Sequence, residues 1–338
     1  MRLVLIGTKG TKRTEYFLKA AHSLHTDVTF YAWDEWNTKD IRRAVVKLDP
    51  PSYGSYDFIE MQAFLEDYKK QLKRLAQAED VTYLNHPKAI YRALDKIECK
   101  RILQENGIRT TQMLGTDLKS MEELQQMMLE KKVFSVFIKP AYYSGAAGVT
   151  AFSWNPAKGK MSAYTSAYVT EGKLVHTKKL RRLESEEEIA AVLEKILPMH
   201  ALIERWHPKP EVNGKKYDLR VLYQFGRMDY IVARQSSSPV TNLDLNNQAL
   251  DISRLHLPKW VWEETELLCK KAMACFDGLV VAGIDVMLDK NTLKPRIIEM
   301  NGQGDLLYQD IFGENKIYKH QITYMNNVED KHDARKFH

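Results

Sequence analysis

Short apolar runs alternate with amphipathic stretches along most of the chain, the pattern of a mixed α/β protein. Residues 3–6 predict a first core strand, followed by the turn Gly7-Thr8-Lys9-Gly10, a helix over 14–24 and a second strand over 28–33. Asp49-Pro50-Pro51-Ser52-Tyr53-Gly54 has loop chemistry, and residues 58–79 form a charged amphipathic helix. A helical pattern runs from Asn85 to Asn106, starting at Asn85-His86-Pro87 and stopping at Asn106-Gly107. After a helix over 120–131 come a strand over 133–139, the glycine-rich turn Tyr143-Ser144-Gly145-Ala146-Ala147-Gly148 and a strand over 149–154. Residues 164–179 alternate as a hairpin around Glu171-Gly172, and 185–197 is a helix with an acidic first turn. Strands then follow over 201–205, 218–225, 230–234, 283–288 and 296–300. Residues 329–338, all polar or charged save Ala334 and Phe337, are expected to be a frayed tail.

Composition narrows the class. The 338 residues are 44% hydrophobic and 28% charged, which excludes disordered and fibrous chains and allows a sizeable core. The longest largely apolar runs, 133–138 and 279–284, are six residues each. A membrane span needs about 20, so neither a membrane helix nor a signal peptide is expected. Cys99, Cys269 and Cys275 fit neither a disulfide framework nor a zinc pattern, and packed thiols in a reducing cytoplasm are expected. A net charge of +6 spread over the chain is poor support for nucleic-acid binding and equally suits a basic site for a phosphorylated or carboxylate ligand. A homodimer is expected only by analogy with most soluble oligomers.

The candidate chemistry lies between residues 96 and 301. Asp285, Glu299 and Asn301 end two strands, and the last two share a face because side chains alternate along a strand. If the strands pair, they form a hard oxygen set suited to magnesium and phosphate, or simply the polar face of a hairpin. Lys139 ends an apolar strand before the Gly145–Gly148 turn, a workable cradle for a polyphosphate. Lys96, on a helix, reads by itself as a solvated charge. The strand ending Glu204-Arg205-Trp206, followed by Asp218-Leu219-Arg220, suits a nucleoside site or a cross-strand ion pair. Arg234, followed by hydroxyls and Asn242, suits a tetrahedral anion or is a plain loop. The turn at Gly7 has neither Rossmann nor Walker spacing and reads as a strand-to-helix connection.

Taken in order, these elements resemble the ATP-grasp superfamily, nearest the ligases related to the ribosomal-protein glutamate ligase and glutathione synthetase. They also resemble a bacterial ATP-grasp subgroup carrying Glu-Arg-Trp-x-Pro-Lys, Asp-Leu-Arg and Arg-Gln-Ser-x-Ser-Pro-x-Thr-Asn-Leu, matched at 204–209, 218–220 and 234–243. The resemblance implies an α/β fold of two lobes clamping ATP behind an N-terminal αβ domain, divided at 1–85, 86–185 and 186–338. It implies that Lys96 and Lys139 contact phosphates and that Gly145 and Gly148 belong to a flap. Glu204, Arg205 and Trp206 would read adenine, Asp218 would hold ribose, and Arg220, Arg234 and Asn242 would serve catalysis. Asp285, Glu299 and Asn301 would hold two magnesium ions, for which manganese is a substitute.

Here Asn301-Gly302-Gln303-Gly304-Asp305 replaces the usual ending of the last strand, and the segment after Asn242 lacks the His and paired glycines of related ligases. These departures bear on substrate identity; residues 164–179 also look like an insertion. The implied reaction is ATP-driven joining of a carboxylate substrate (amino acid, small peptide or peptide terminus) to an amine acceptor through an acyl phosphate. The alternatives are a phosphotransferase acting on a hydroxyl and a catalytically silent nucleotide-binding regulator.

Overall fold

A computed structural model describes residues 2–334, with side chains through residue 328. The first sheet is parallel, in the order β2-β1-β3-β4: β1 (Arg2–Gly7), β2 (Val28–Ala32), β3 (Ala44–Leu48) and β4 (Val81–Tyr83). Helices α1 (Lys12–Ser23) and α2 (Phe58–Leu75) connect these strands, capped by Thr11 and Asp57, whose side chains accept from backbone N–H groups of the first turn. The buried strand β3 and the half-buried β4 are absent from the sequence pattern because Lys47 interrupts one and the other is only three residues long.

The predicted single helix over 85–106 is two helices, α3 (Pro87–Leu94) and α4 (Lys96–Glu105). Asp95 breaks the run: its backbone is extended, and its carboxylate caps α4 by accepting from Ile97 and Glu98 N–H. Both helices pack their apolar faces into the core of the last sheet, where Ala89, Ala93, Cys99, Ile102 and Leu103 meet Leu219, Ile284 and Ile297.

The middle sheet is antiparallel, in the order β5-β10-β6-β7-β8-β9. Its strands are β5 (Met113–Thr116), β6 (Ser135–Pro140), β7 (Thr150–Asn155), β8 (Lys160–Thr170), β9 (Lys173–Leu183) and β10 (Ala201–Arg205). Helices α5 (Met121–Glu130) and α6 (Glu186–Ile196) cover one face, contributing Leu124, Met128, Ile189 and Leu193 to a common core with Val136, Ile138 and Phe152. The expected division at residue 186 assigns β10 to the last lobe; in the structure it hydrogen-bonds between β5 and β6. The predicted hairpin extends to 160–183, with Glu171-Gly172 at its turn.

The last sheet is also antiparallel, in the order β14-β13-β12-β15-β16 with β11 beside β12. These are β11 (Glu211–Val212), β12 (Lys215–Gln224), β13 (Arg227–Ser236), β14 (Gln248–Leu250), β15 (Val281–Leu288) and β16 (Pro295–Asn301). Helix α7 (Lys259–Met273) packs on its apolar face; α8 (Tyr308–Ile311) and α9 (Lys316–Ala334) return to the first sheet, where Tyr318 meets Phe17 edge to face. Residues 329–334 continue α9 rather than forming the frayed tail expected there, and 335–338 lie outside the described residues. Among the described residues, no helix is long and apolar enough to cross a membrane.

Candidate active site

The polar face of the last sheet is assembled by register. Residues directly opposite in an antiparallel pair share a face. Asp218 lies opposite Arg234, Arg220 opposite Asp285, and Asp285 opposite Glu299, so five charged residues from four strands form one row. A bulge falls between Asp285 and Val286 in the pairing with β16, where such irregularities re-aim side chains.

Asp218, Arg234 and Asp285 are buried, Arg220 and Glu299 are half-buried, and all but Glu299 pair with one another. Arg234 Nε donates to Asp218 Oδ1 at 2.8 Å, and its Nη2 lies 3.0 Å from Asp285 Oδ2. Arg220 Nη1 donates to Asp285 Oδ1 at 2.6 Å. The other oxygen of Asp218 accepts from Lys209 Nζ at 2.9 Å and Thr241 Oγ1 at 2.5 Å. Burial alone would raise both acids; Arg234 with Lys209 holds the Asp218 carboxyl well below the usual range, and Arg234 with Arg220 lowers that of Asp285. Burial pulls the Lys209 ammonium down despite Asp218.

The facing wall comes from β6, β10 and α4. Glu204, 1% exposed, receives Lys100, Lys139 at 2.5 Å and the Thr111 hydroxyl at 2.6 Å. Desolvation opposes its ionisation, but the two ammonium groups hold its pKa down to about 2. Burial lowers Lys100, whereas Lys139, equally buried, is raised because Glu204, Glu299 and Asp285 all act on it. Lys139 thus stays cationic while facing acids from both sheets.

Above the cleft lies the glycine turn. Ala146 packs against Val240 and Leu245 of the opposite lobe, and its carbonyl accepts from Ser166 Oγ at 2.5 Å. Phe58 of α2 presses on Tyr143 with ring centroids 5.1 Å apart. Lys96 Nζ donates to the Tyr143 carbonyl at 2.5 Å and the Ala141 carbonyl at 3.4 Å, so in this state it ties down the base of the turn.

The space between these walls, counted out to where it opens on solvent, is about 700 Å³. Of the sequence-predicted residues, Lys96, Lys139, Glu204, Arg205, Asp218, Arg234, Asn242, Asp285 and Glu299 line it. Gly145, Gly148, Trp206, Arg220 and Asn301 do not. Arg220 reaches the cleft only through Asp285, Trp206 packs at a tilt against Phe137, and the Asn301 Oδ1 accepts from Gln303 N–H at 2.9 Å. The N–H groups of Arg205 and Trp206 already donate to the Gln112 and Ser135 carbonyls. Asn242 accepts from Asp244 N–H at 2.9 Å at the rim.

Sequence reasoning did not single out Thr111, His207, Lys209, Thr241, Met287 and Ile298 as lining residues, nor Lys100 beneath them. Lys209 sits inside the quoted 204–209 motif, which was its available signal; Lys100 and Thr111 acquire meaning only by meeting Glu204.

The donor set fits magnesium. Asp285 and Glu299 are hard oxygen donors on adjacent strands, and Asn301 is two residues along from Glu299. No three His, Cys, Asp or Glu side chains converge among the described residues, so phosphate oxygens and water would complete a coordination sphere, as magnesium sites commonly require.

No family model matches the chain, and no curated protein matches it. Solved structures do. D-cycloserine synthetase DcsG aligns over 97% of this chain and 100% of its own at 12% identity, with a TM-score of 0.63. The ATP-grasp ligase PsnB, complexed with a minimal precursor, Mg and ADP, aligns over 96% and 98% at 14% identity and 0.57. D-alanine–D-alanine ligase from Bacillus anthracis, complexed with ATP, aligns over 99% of each chain at 15% identity and 0.56. At such identities the likeness establishes the fold: this chain has the ATP-grasp fold over nearly its whole length.

Proposed function

We propose that this chain is an ATP- and magnesium-dependent carboxylate–amine ligase, forming an amide or peptide-like bond through an acyl phosphate with release of ADP and phosphate. The observation that carries the reading is a covered cleft with Lys96 and Lys139 on one wall and Arg234, Asp285 and Glu299 on the other. Cations and metal-ligating acids facing each other suit a polyphosphate, whose transfer is catalysed mainly by positioning and charge. Magnesium, held as two ions by Asp285, Glu299 and Asn301 or replaced by manganese, would supply positive charge at the β- and γ-phosphate oxygens.

Lys139 and Lys96 hold phosphates in this reading. Each has a partner to exchange, Glu204 for the first and the Tyr143 carbonyl for the second. The turn containing Gly145 and Gly148 excludes water from the hydrolysable intermediate. Glu204 and Arg205 with Thr111, His207, Met287 and Ile298 enclose the base, and Trp206 backs them from outside the cleft. Because the Arg205 and Trp206 N–H groups are engaged, base recognition falls to carbonyls and side chains. Asp218, with both oxygens occupied, holds Lys209, Thr241 and Arg234 in place rather than binding ribose. Arg234 then faces the transferred phosphoryl group, Arg220 acts through Asp285, and Asn242 shapes the rim.

In the first step a substrate carboxylate oxygen attacks the γ-phosphorus, and the bond to the β–γ bridging oxygen breaks as ADP leaves. The amine then adds to the acyl carbon, the carbon–oxygen bond to phosphate breaks, and the surplus amine proton leaves with phosphate. Arg234 stabilises the charge developing in both steps. The names of the structural neighbours point to amino acids and peptides as the acids and amines to try first. A cytoplasmic setting, where ATP is plentiful, belongs to the same reading.

The test is phosphate release from ATP and magnesium with pooled amino acids and small peptides, with products weighed by mass spectrometry. A dehydrative coupling product accompanied by ADP supports the ligase; a stable phosphoester identifies a phosphotransferase instead. Folded Asp285→Ala and Glu299→Ala variants with undiminished ATP-dependent activity would sink the reading.

A further inference from the structure

Asp305 is tied to the cleft without lining it. Its carboxylate is 3% exposed and joins three elements: Arg13 of α1 at Oδ1, and at Oδ2 Lys47 of β3 at 3.0 Å and Gln321 of α9 at 3.2 Å. Lys47 also pairs with Asp49, so two cations and two acids balance in a buried cluster between the first and last sheets. One residue before Asp305, the Gly304 carbonyl accepts from Arg220 Nη2 at 3.0 Å. Nη1 of the same guanidinium holds Asp285 Oδ1 at 2.6 Å.

The guanidinium has little room to be elsewhere. It lies in a slot between Gly283 and Gly304, and a Cβ built on either glycine would overlap its Nη2 atom. A glycine inside a strand marks close approach by another group, and at Gly283 that group is Arg220 together with the Gly304 carbonyl. The position of the 302–305 loop therefore constrains where Arg220 sits, and Arg220, at Oδ1, shares with Arg234, at Oδ2, the orienting of Asp285. Charge balance explains why the Arg13–Lys47–Asp49–Asp305 cluster tolerates burial. It does not explain why the cluster grips the loop that closes the slot.

We propose that Asp305 is a positioning residue for Asp285, seating the 302–305 loop against the N-terminal sheet so that Arg220 presents Asp285 to magnesium-bound nucleotide. The identity of what Asp285 receives rests on the ligase reading; the contacts leading to Asp285 do not. The first sheet is thereby linked to the metal-binding end of the cleft, and changes at Arg13 or Lys47 should be felt there.

The test uses Asp305→Asn, which keeps the shape and removes the charge, with calorimetric titration of ADP in EDTA and of ADP with magnesium. Metal-free ADP affinity should stay within about twofold of wild type, while magnesium–ADP affinity falls roughly tenfold or more, the usual scale for losing a group that orients a metal ligand. Equal losses with and without magnesium, or no loss, would overturn the proposal. Should Asp305→Asn fail to fold, Gly304→Ala, whose Cβ would meet both Arg220 Nη2 and the Gly283 backbone, disturbs the same link from the loop side and must give the same selective loss. A wild-type protein that binds no magnesium–ADP counts against the ligase reading instead. The link is then decided in the unliganded protein by ¹⁵N NMR of the Arg220 guanidinium. Asp305→Asn should shift its signal and speed its proton exchange, and an unchanged signal overturns the link.

Discussion

Glu204 shows how much one buried charge controls at this site. Its carboxylate neutralises Lys100 and Lys139 together, so Glu204→Gln leaves two buried ammonium groups sharing no formal negative partner there. Breaking a buried pair on one side costs about 3–5 kcal/mol, and denaturant unfolding of the variant should show a loss of that order. The sign of the pH effect follows from its depressed pKa, about 2 against 4.5 for an ordinary glutamate. Ionised Glu204 contributes its full stabilisation above the ordinary value, and the contribution drains away as pH falls toward 2. Wild-type stability should therefore fall through that window, with a shallower slope in Glu204→Gln. Equal slopes would show that Glu204 is not the titrating group. Lys139 could be picked out in the sequence from the strand and glycines around it. Glu204 could be picked out too, but its actual work, pairing two lysines from different elements, could not, because Lys100 lies on a helix where a lysine ordinarily faces water.

At the level of elements, the covering turn is held by shape as much as by charge. Gly148 has φ +70°, and a Cβ there would sit 2.9 Å from Pro140 Cγ and 3.1 Å from the Phe58 ring. Gly145 has φ +64°, but its Cβ would find nothing closer than 3.6 Å. Both alanine substitutions incur left-handed backbone strain of about 1–3 kcal/mol, and only Gly148→Ala adds a collision. Gly148→Ala should thus be the less stable of the two in thermal denaturation and the weaker ATP binder in titration; the reverse order would refute this account of the turn. Strand and turn identities here were legible from alternation and glycine placement. The break at Asp95 was not, since Asn85 to Asn106 carries one continuous amphipathic pattern and only the local competition of a capping carboxylate divides it.

For the molecule as a whole, Asn85 is the hinge pin between the first sheet and the rest. Its amide donates to the Val281 and Gly302 carbonyls at 2.7 and 2.6 Å and accepts from Val280 and Val281 N–H at 2.9 Å. Asn85→Leu strands four backbone groups, and at about 1–3 kcal/mol for each unsatisfied group the loss should be at least about 4 kcal/mol in chemical denaturation. A neutral result would mean that water replaces all four bonds. Alternation, glycine placement and the order of acidic and basic residues were enough by themselves to establish an α/β chain, the four long strands of the last sheet but not β11 or β14, and Lys139, Asp285 and Glu299 as the places to look. Those are local properties, carried by residues a few positions apart. Only the tertiary structure decided that β10 belongs to the middle sheet, that Asp218 is saturated by Lys209, Thr241 and Arg234, and that Asp305 reaches Arg13 and Lys47 from the far end of the chain. Once water is excluded, each buried charge must find its counter-charge among whatever the fold brings near, and sequence spacing does not encode that choice.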